Sequence, residues 1–597
     1  MIWKLSLTGI KNRMKDYVVL FSGLIVASMI FYMFLTIAIN PAFLAKNLPV
    51  NHPNYVNYIF TFGIVLLMII TFFYLLYANT FLLSMRKHDY GMYMMLGAKS
   101  MRIGLLIFCE TLLTGLIAVI VGIILGLGLT ALVSRLLVSK LGLAINHFQV
   151  ILPRAILGTI LFFIVIFFFG ALFNARKLTK TQVISLLHED QTPVKLKRHP
   201  LLLLVEGIAG IGLLACGYYV MTLNPNNIFK IIPTALITIV IGSFFVFNAV
   251  FTSIINLLLK NKKISYRGIR MFTLGQLKFR LHSYTRILTM ISLLFALALG
   301  AITVGLNFNS LKETVAQGYY YDASICSDSK PVKKELAKLT LKSQQTYHYK
   351  EDRQKAYFQS AELTNKPLKN KELVDSSTST GMIKMRVVTV SKDSLAPILS
   401  NFFPNTGKVV QLVTKEKYRQ LKQKPKAITL IRTKDFVHDY PRILKIERME
   451  VKENAAAANV TNTSKANAYQ MVVGYVSGFE FMGFFLGLAF LTMLASTLMF
   501  KVLSGAYNDR LRYQMLAKMG VRIKLLRRSI MMEIGALFAL PGILGIIDVL
   551  FGLKLFRTLL KNPYSGLILP FTIFIILYLF YYLLTVRLYE KIVLKFK

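Results

Sequence analysis

Ten runs of roughly 20 or more apolar residues punctuate this chain, and they constrain its fold more than any other feature. They lie at about 17–39, 56–82, 104–134, 150–174, 201–222, 231–257, 286–307, 474–503, 530–556 and 565–586. Each is long enough to cross ~30 Å of hydrocarbon as a helix. The sequence therefore reads as an α-helical polytopic membrane protein. With 71 Lys and Arg against 27 Asp and Glu, the net charge is +44. In a soluble chain that balance would suggest nucleic acid. Here the bases gather in the loops between spans, where the positive-inside bias and anionic headgroups account for them, so no nucleic-acid partner is expected.

The same bases orient the chain. Loops on the side of the N-terminus hold 34 Lys and Arg, whereas the short loops on the opposite side hold 6. Both termini are expected in the cytosol of a bacterial cell membrane. The first apolar run lacks a small-residue cleavage site and reads as a retained span. Residues 308–473 form a polar interruption that falls outside the cell. Segments such as 385–390, 408–413 and 427–432 mix β-branched residues with bases between turn formers, as strands do. An α/β extracellular domain between helices seven and eight is expected, and the Ala/Asn/Thr-rich run 454–468 reads as a mobile connector.

Two internal echoes give the layout. At one constant offset Tyr90 falls on Tyr513, Met92 on Met515, Gly97 on Gly520, Lys99 on Arg522 and Glu110 on Glu533. At a second offset Lys11 falls on Lys278, Arg13 on Arg280, Met14 on Leu281 and Tyr17 on Tyr284. The offsets differ by about the length of the outer domain, so the second half is the first with a domain inserted between its first two spans. The expected architecture is 4+2+4 helices. Residues 1–200 form the first four-helix repeat with an N-terminal interfacial helix, 201–258 the linking helices five and six, and 259–307 an interfacial helix and helix seven. Residues 308–473 form the outer domain, and 474–597 complete the second repeat. Gly115, Gly122, Gly126 and Gly128 in the third span suit close helix approach.

The basic stretch Ser84–Glu110 is the main candidate for function. Met85–Leu96 can continue the second span beyond the membrane, with Gly97 as its C-terminal stop. Read alone it is an ordinary positive-inside loop; its duplication favours a coupling element that docks on a cytosolic partner. Glu110 and Glu533 sit one to two turns inside the interface. Such acids are usually paired, here with Arg86, Arg102, Arg527 or Arg528, or they snorkel to the headgroups. Glu206, Glu480 and Asp548 are single acids that could line polar seams. The outer domain carries 29 Lys and Arg against 16 Asp and Glu. Its cluster Lys415, Lys417, Arg419, Lys422 and Lys424 suits phosphate groups of envelope lipids, and a solvated surface explains it equally well. There is no phosphate-binding G-x-x-x-x-G-K-[ST], no H-E-x-x-H, no G-x-S-x-G, no CxxC and no metal-spaced Cys/His set, so no catalytic residue, metal or cofactor is expected in this chain.

Asp89-Tyr90-Gly91 followed by Leu96-Gly97-Ala98, behind Arg86-Lys87, resembles the E-x-G…L-G-A signature of the FtsX-like permease family of ABC transporters. The ten-span layout with one outer domain between helices seven and eight resembles its bacitracin-resistance type. The second copy departs from the signature, with Arg512 at the acidic position, Gln514 at the first Gly and Val521 at the Ala. The resemblance implies ATPase coupling through Arg86, Asp89, Gly91, Leu96, Gly97 and Lys99, and through Arg510, Gly520 and Arg522 in the second copy. It implies a separate, dimeric ABC ATPase that binds ATP and Mg, and a mechanical release of peptide antibiotic from its pyrophosphate-bearing lipid target. It also implies a relay to a membrane histidine kinase. Two alternatives stand beside this reading: a permease of the same fold that controls a wall hydrolase or moves lipoproteins, and a membrane enzyme acting on polyprenyl lipids.

Overall fold

The structure is a computed structural model that describes residues 14–40, 55–141, 148–179, 200–223, 228–373, 385–404, 408–558, 563–564 and 566–595. Among these, ten helices are long and apolar enough to cross a membrane. They are α1 (Met14–Ala38), α2 (Tyr55–Met95), α3 (Ser100–Leu141), α4 (Pro153–Thr179), α5 (Pro200–Val220) and α6 (Ile228–Phe245, continued by a π turn and Phe251–Lys260). The remainder are α7 (Arg270–Asn307), α8 (Lys465–Lys518), α9 (Ile523–Gly552) and α10 (Ile568–Val593). Several run well past their apolar cores, because hydropathy marks only the part of a helix that meets lipid.

The helices pack as two related groups. α1 lies against α3 as α7 lies against α9, and α8 sits centrally against α7, α1, α2 and α10. Small residues make the tightest crossings. A Cβ on Gly122 would collide with Ser28 of α1, and one on Gly483 with the Ala301 carbonyl of α7. Close backbone approach of this kind is how membrane helices gain contact without a hydrophobic driving force. Gly128 does not share the role expected of it: a Cβ there would meet nothing within 4 Å.

Two expectations are corrected. The segment before the seventh span is not a separate interfacial helix. Arg270–Asn307 is one unbroken helix whose buried residues, from Thr273 through Arg280 to Asn307, face the bundle along its whole length. The equivalent N-terminal segment, 1–13, lies outside the described residues. Nor is 454–468 a mobile connector. Asn454 caps a short 3-10 turn, a helix covers Ala458–Asn462, and the Ser464 side chain accepts from the Asn467 amide to open α8. Alanine is the best helix former and Asn and Ser are good N-caps, so this composition suits short capped helices as well as coil.

The domain between α7 and α8 is built on a five-stranded sheet in the order β1-β7-β2-β3-β6, with β4 and β5 as a separate antiparallel pair. The strands are β1 (Ala323–Ile325), β2 (Leu341–Glu351), β3 (Lys355–Gln359), β4 (Lys369–Leu373), β5 (Met385–Thr389), β6 (Val409–Val413) and β7 (Lys426–Thr433). Among the described residues, β3 and β6 pair in parallel and the other strand pairs are antiparallel. Alternation along the strands loads both faces. One face buries Tyr347, Tyr349, Phe358, Leu399, Phe403 and Ile428. The other packs Ile325 and Ile431 against helix Phe436–Glu453 and against Ala466, Tyr469 and Val473 of α8. The first turns of α8 are thus part of the domain core. Lys465 Nζ, buried over the Phe436 ring, lies 2.6 Å from Asp322 Oδ1, whose other oxygen accepts from the Thr433 amide.

Candidate functional site

The Gly97 and Gly520 turns lie on the same side of the bundle, opposite the domain, and share one local design. The α2 helix ends in a left-handed Gly97 (φ 91°), and α8 in a left-handed Gly520 (φ 87°). Ala98 N–H donates to Tyr93 O and Gly97 N–H to Met94 O; Val521 and Gly520 repeat this with Leu516 and Ala517. Both are Schellman motifs, which need a residue free to adopt positive φ. Each tip is closed from behind by a small apolar contact. Tyr90 packs on Ile103 and Ile107 in the first, and Tyr513 is buried with Leu526 and Ile530 in the second. The exposed surface mixes large apolar side chains with bases: Leu96 is 85% exposed, Met101 84% and Met519 70%, beside exposed Lys99, Arg102 and Arg522. Exposed leucine and methionine side chains of this kind are adaptable contact surface.

Beneath each tip an acid receives the same tyrosine. Tyr90 OH donates to Glu110 Oε2 at 3.4 Å, and Tyr513 OH to Glu533 Oε2 at 3.3 Å. In the second half the acid belongs to a larger hub. Arg280 of α7 places Nε 2.5 Å from Glu533 Oε1 and Nη2 2.5 Å from Asp509 Oδ2. Tyr589 of α10 accepts from Arg280 Nη2 and donates to Asp509 Oδ2, both at 2.8 Å. Arg512 adds an outer contact, 3.5 Å from Asp509 Oδ1. Four helices therefore meet on one buried guanidinium. Asp509 occupies the repeat position of Arg86, so the two halves differ in charge at this point.

The counter-ion of Glu533 is thus Arg280 and not Arg527 or Arg528. Those two lie six and five residues before Glu533 on α9, off the three- and four-residue spacing that brings side chains together. Arg527 instead faces Glu590 of α10 at 3.3 Å. On the first tip Lys99 and Arg102 are exposed, Gly91 is buried and Asp89 half-buried. Arg86 lies on α2, its side chain outside the described residues. In the second copy Arg522 is exposed, while half-buried Arg510 donates to the Lys595 carbonyl at 3.0 Å. Of the single acids, Glu206 accepts from Asn248 at 2.7 Å and Asp548 from Tyr218 at 2.6 Å, the latter joining α9 to linking helix α5.

The lysine cluster of the domain between α7 and α8 is exposed. Lys415, Lys417 and Arg419 ride on the short helix Lys415–Gln420, and Lys422 and Lys424 follow in the loop to β7. Lys350 Nζ anchors this loop through the Tyr418 and Leu421 carbonyls. Among the described residues no group of three or more His, Cys, Asp or Glu could hold a metal.

Residues 61–183, which contain the first tip and helices α3 and α4, match the FtsX-like permease C-terminal family. The chain is 22% identical to an uncharacterized ABC transporter permease, YvcS of Bacillus subtilis, over 98% of both chains. It is 23% identical to the ABC transporter permease protein YxdM of the same organism, over 85% of this chain and 86% of that one. To the bacitracin export permease protein BceB of Bacillus subtilis it is 23% identical over 54% of this chain, spanning about half (51%) of that relative. The chain is a multi-pass membrane protein that carries an FtsX-like permease domain.

Proposed function

We propose that this chain is the membrane subunit of an ABC transporter of the bacitracin-resistance type, driven by a separate ATPase dimer that supplies ATP and Mg. Both termini and both tips face the cytosol in this reading. The observation that carries it is the pair of matched tips, each a glycine-stopped helix end with exposed Leu or Met outside and a tyrosine–glutamate contact behind. The signature-bearing first copy, Asp89 to Lys99, makes the main ATPase contact, and the altered second copy makes a weaker one.

The work is mechanical. α8 runs 54 residues without a break from the outer domain core to the second tip, about 80 Å at 1.5 Å per residue. Closure of the ATPase dimer draws the tips together, tilts the helices behind them and reshapes the outer domain. There, Lys415, Lys417, Arg419, Lys422 and Lys424 engage the phosphates of a lipid-linked antibiotic target, and the antibiotic is released. A membrane histidine kinase reads the same movement. Names among the relatives, bacitracin export permease in particular, support the drug class.

Co-purification with the ATPase tests the coupling step. Gly97→Pro and Asp89→Arg should each lose the ATPase, whereas deleting 308–473 should not. Retention of the ATPase by both tip variants would refute the docking assignment. Bacitracin protection of a susceptible host tests the drug class separately, and its absence with an intact complex would favour the lipoprotein-moving alternative.

A further inference from the structure

A cavity of about 680 Å³ opens between the start of α9 and the end of α10, on the same side of the bundle as the tips. Its rim is cationic. Arg587 and Lys591 stand one turn apart on α10, and Lys595 follows just past the helix end; all three are exposed. Arg527 and Glu590 also line the cavity, paired with each other at 3.3 Å, and among the described residues none of the three bases forms an ion pair. Its floor is apolar, made by the half-buried Leu584, Leu588 and Leu594. Leu584 and Leu588 lie at the end of the groove nearer the middle of α10, Lys591, Leu594 and Lys595 lie at its far end, and Arg587 stands between.

A free anion would use the rim and leave the leucine floor wet; an acidic protein surface would have no use for a floor directed into the bilayer. We propose that this groove binds an anionic phospholipid of the adjoining leaflet, its phosphate on Arg587, Lys591 and Lys595 and its first acyl segment along Leu584 and Leu588. The lipid would also touch the coupling machinery, since Arg510 of the second tip holds the Lys595 carbonyl at 3.0 Å. The site stands independently of the ATPase reading.

The full chain is reconstituted in nanodiscs of mixed phosphatidylglycerol and phosphatidylcholine, and lipids retained after release are counted by native mass spectrometry. Wild type should retain phosphatidylglycerol preferentially. The triple variant Arg587→Gln, Lys591→Gln, Lys595→Gln should reduce that preference about tenfold, because three exposed cations are removed without disturbing the helix core. A matched control at three exposed bases with no assigned role, Lys330→Gln, Lys334→Gln, Lys342→Gln, should keep it. Inorganic phosphate should fail to displace the lipid. No preference in wild type, an unchanged preference in the triple variant, an equal loss in the control, or displacement by phosphate alone would each overturn the proposal.

Discussion

Arg280 holds two carboxylates at once, and all three groups are almost sealed from solvent. Removing the cation strands two negative charges, whereas neutralising Glu533 leaves Arg280 with Asp509 and Tyr589. Breaking a buried ion pair from one side costs about 3–5 kcal/mol. Arg280→Met should therefore lower the stability of the full chain by that order, read as thermal unfolding in detergent, and Glu533→Gln by clearly less. Equal losses would show that the guanidinium is not the common anchor. Part of this hub was legible in the sequence. Intramembrane acids announce themselves by their cost, and the repeat picked out Glu110 and Glu533 together. Their neighbours were harder to assign. Arg280 matched Arg13 in the other echo, but nothing in a linear spacing says that α7 and α9 press these two residues together. Arg527 and Arg528 are nearer in sequence, but a helix turns about 100° per residue, which carries residues five and six apart off a shared face.

At the level of elements, the junction between the outer domain and α8 has a built-in pH dependence. Glu447 lies buried on helix Phe436–Glu453 and accepts from Ser464 Oγ, the hydroxyl that also opens α8. Burial pushes its carboxyl up to about 8, with nearby Glu450 adding to the rise and Ser464 opposing it. Burial likewise raises Glu450 to about 7, against the Ser327 and Cys326 amides that it accepts from. The folded chain therefore keeps protons that the unfolded chain has already released. Their stabilising effect is complete below the ordinary carboxylate range and is lost as pH rises through about 7 to 8. Denaturant midpoints of the full chain should fall between pH 5 and pH 8, and Glu447→Gln should flatten the fall. A rising midpoint in wild type over that window would contradict the assignment. The sequence did not show this junction. Its alanines and asparagines are equally at home in coil, and the caps depend on Asn454 and Ser464 satisfying amide groups, which composition does not register. The strands of the domain were easier, because β-branched runs between turn formers carry their own local signal.

On the scale of the molecule, the number of spans and the inserted domain followed from hydropathy and from the repeat, since lipid allows a long apolar segment few alternatives to a helix. What hydropathy could not register is continuity. The eighth apolar run looked like one span among ten, yet α8 extends from the domain core, where Tyr469 and Val473 are buried, to the second tip at Met519. A helix of that length carries displacement only while its hydrogen-bond ladder is intact. Ser504 is a suitable place to interrupt it, half-buried five residues before Asp509 of the hub. Glycine there weakens the helix by up to about 1 kcal/mol, and proline by about 3 kcal/mol with loss of a backbone bond and a kink. Neither change touches the first tip or the outer sheet, so ATPase binding and the domain fold should persist. Drug protection of a susceptible host should decline from wild type to Ser504→Gly to Ser504→Pro, while ATP hydrolysis by the purified complex continues. If protection were unchanged in Ser504→Pro, α8 would not be the element that joins the two ends, and movement would have to pass through α7, the other helix that enters the domain from the bundle.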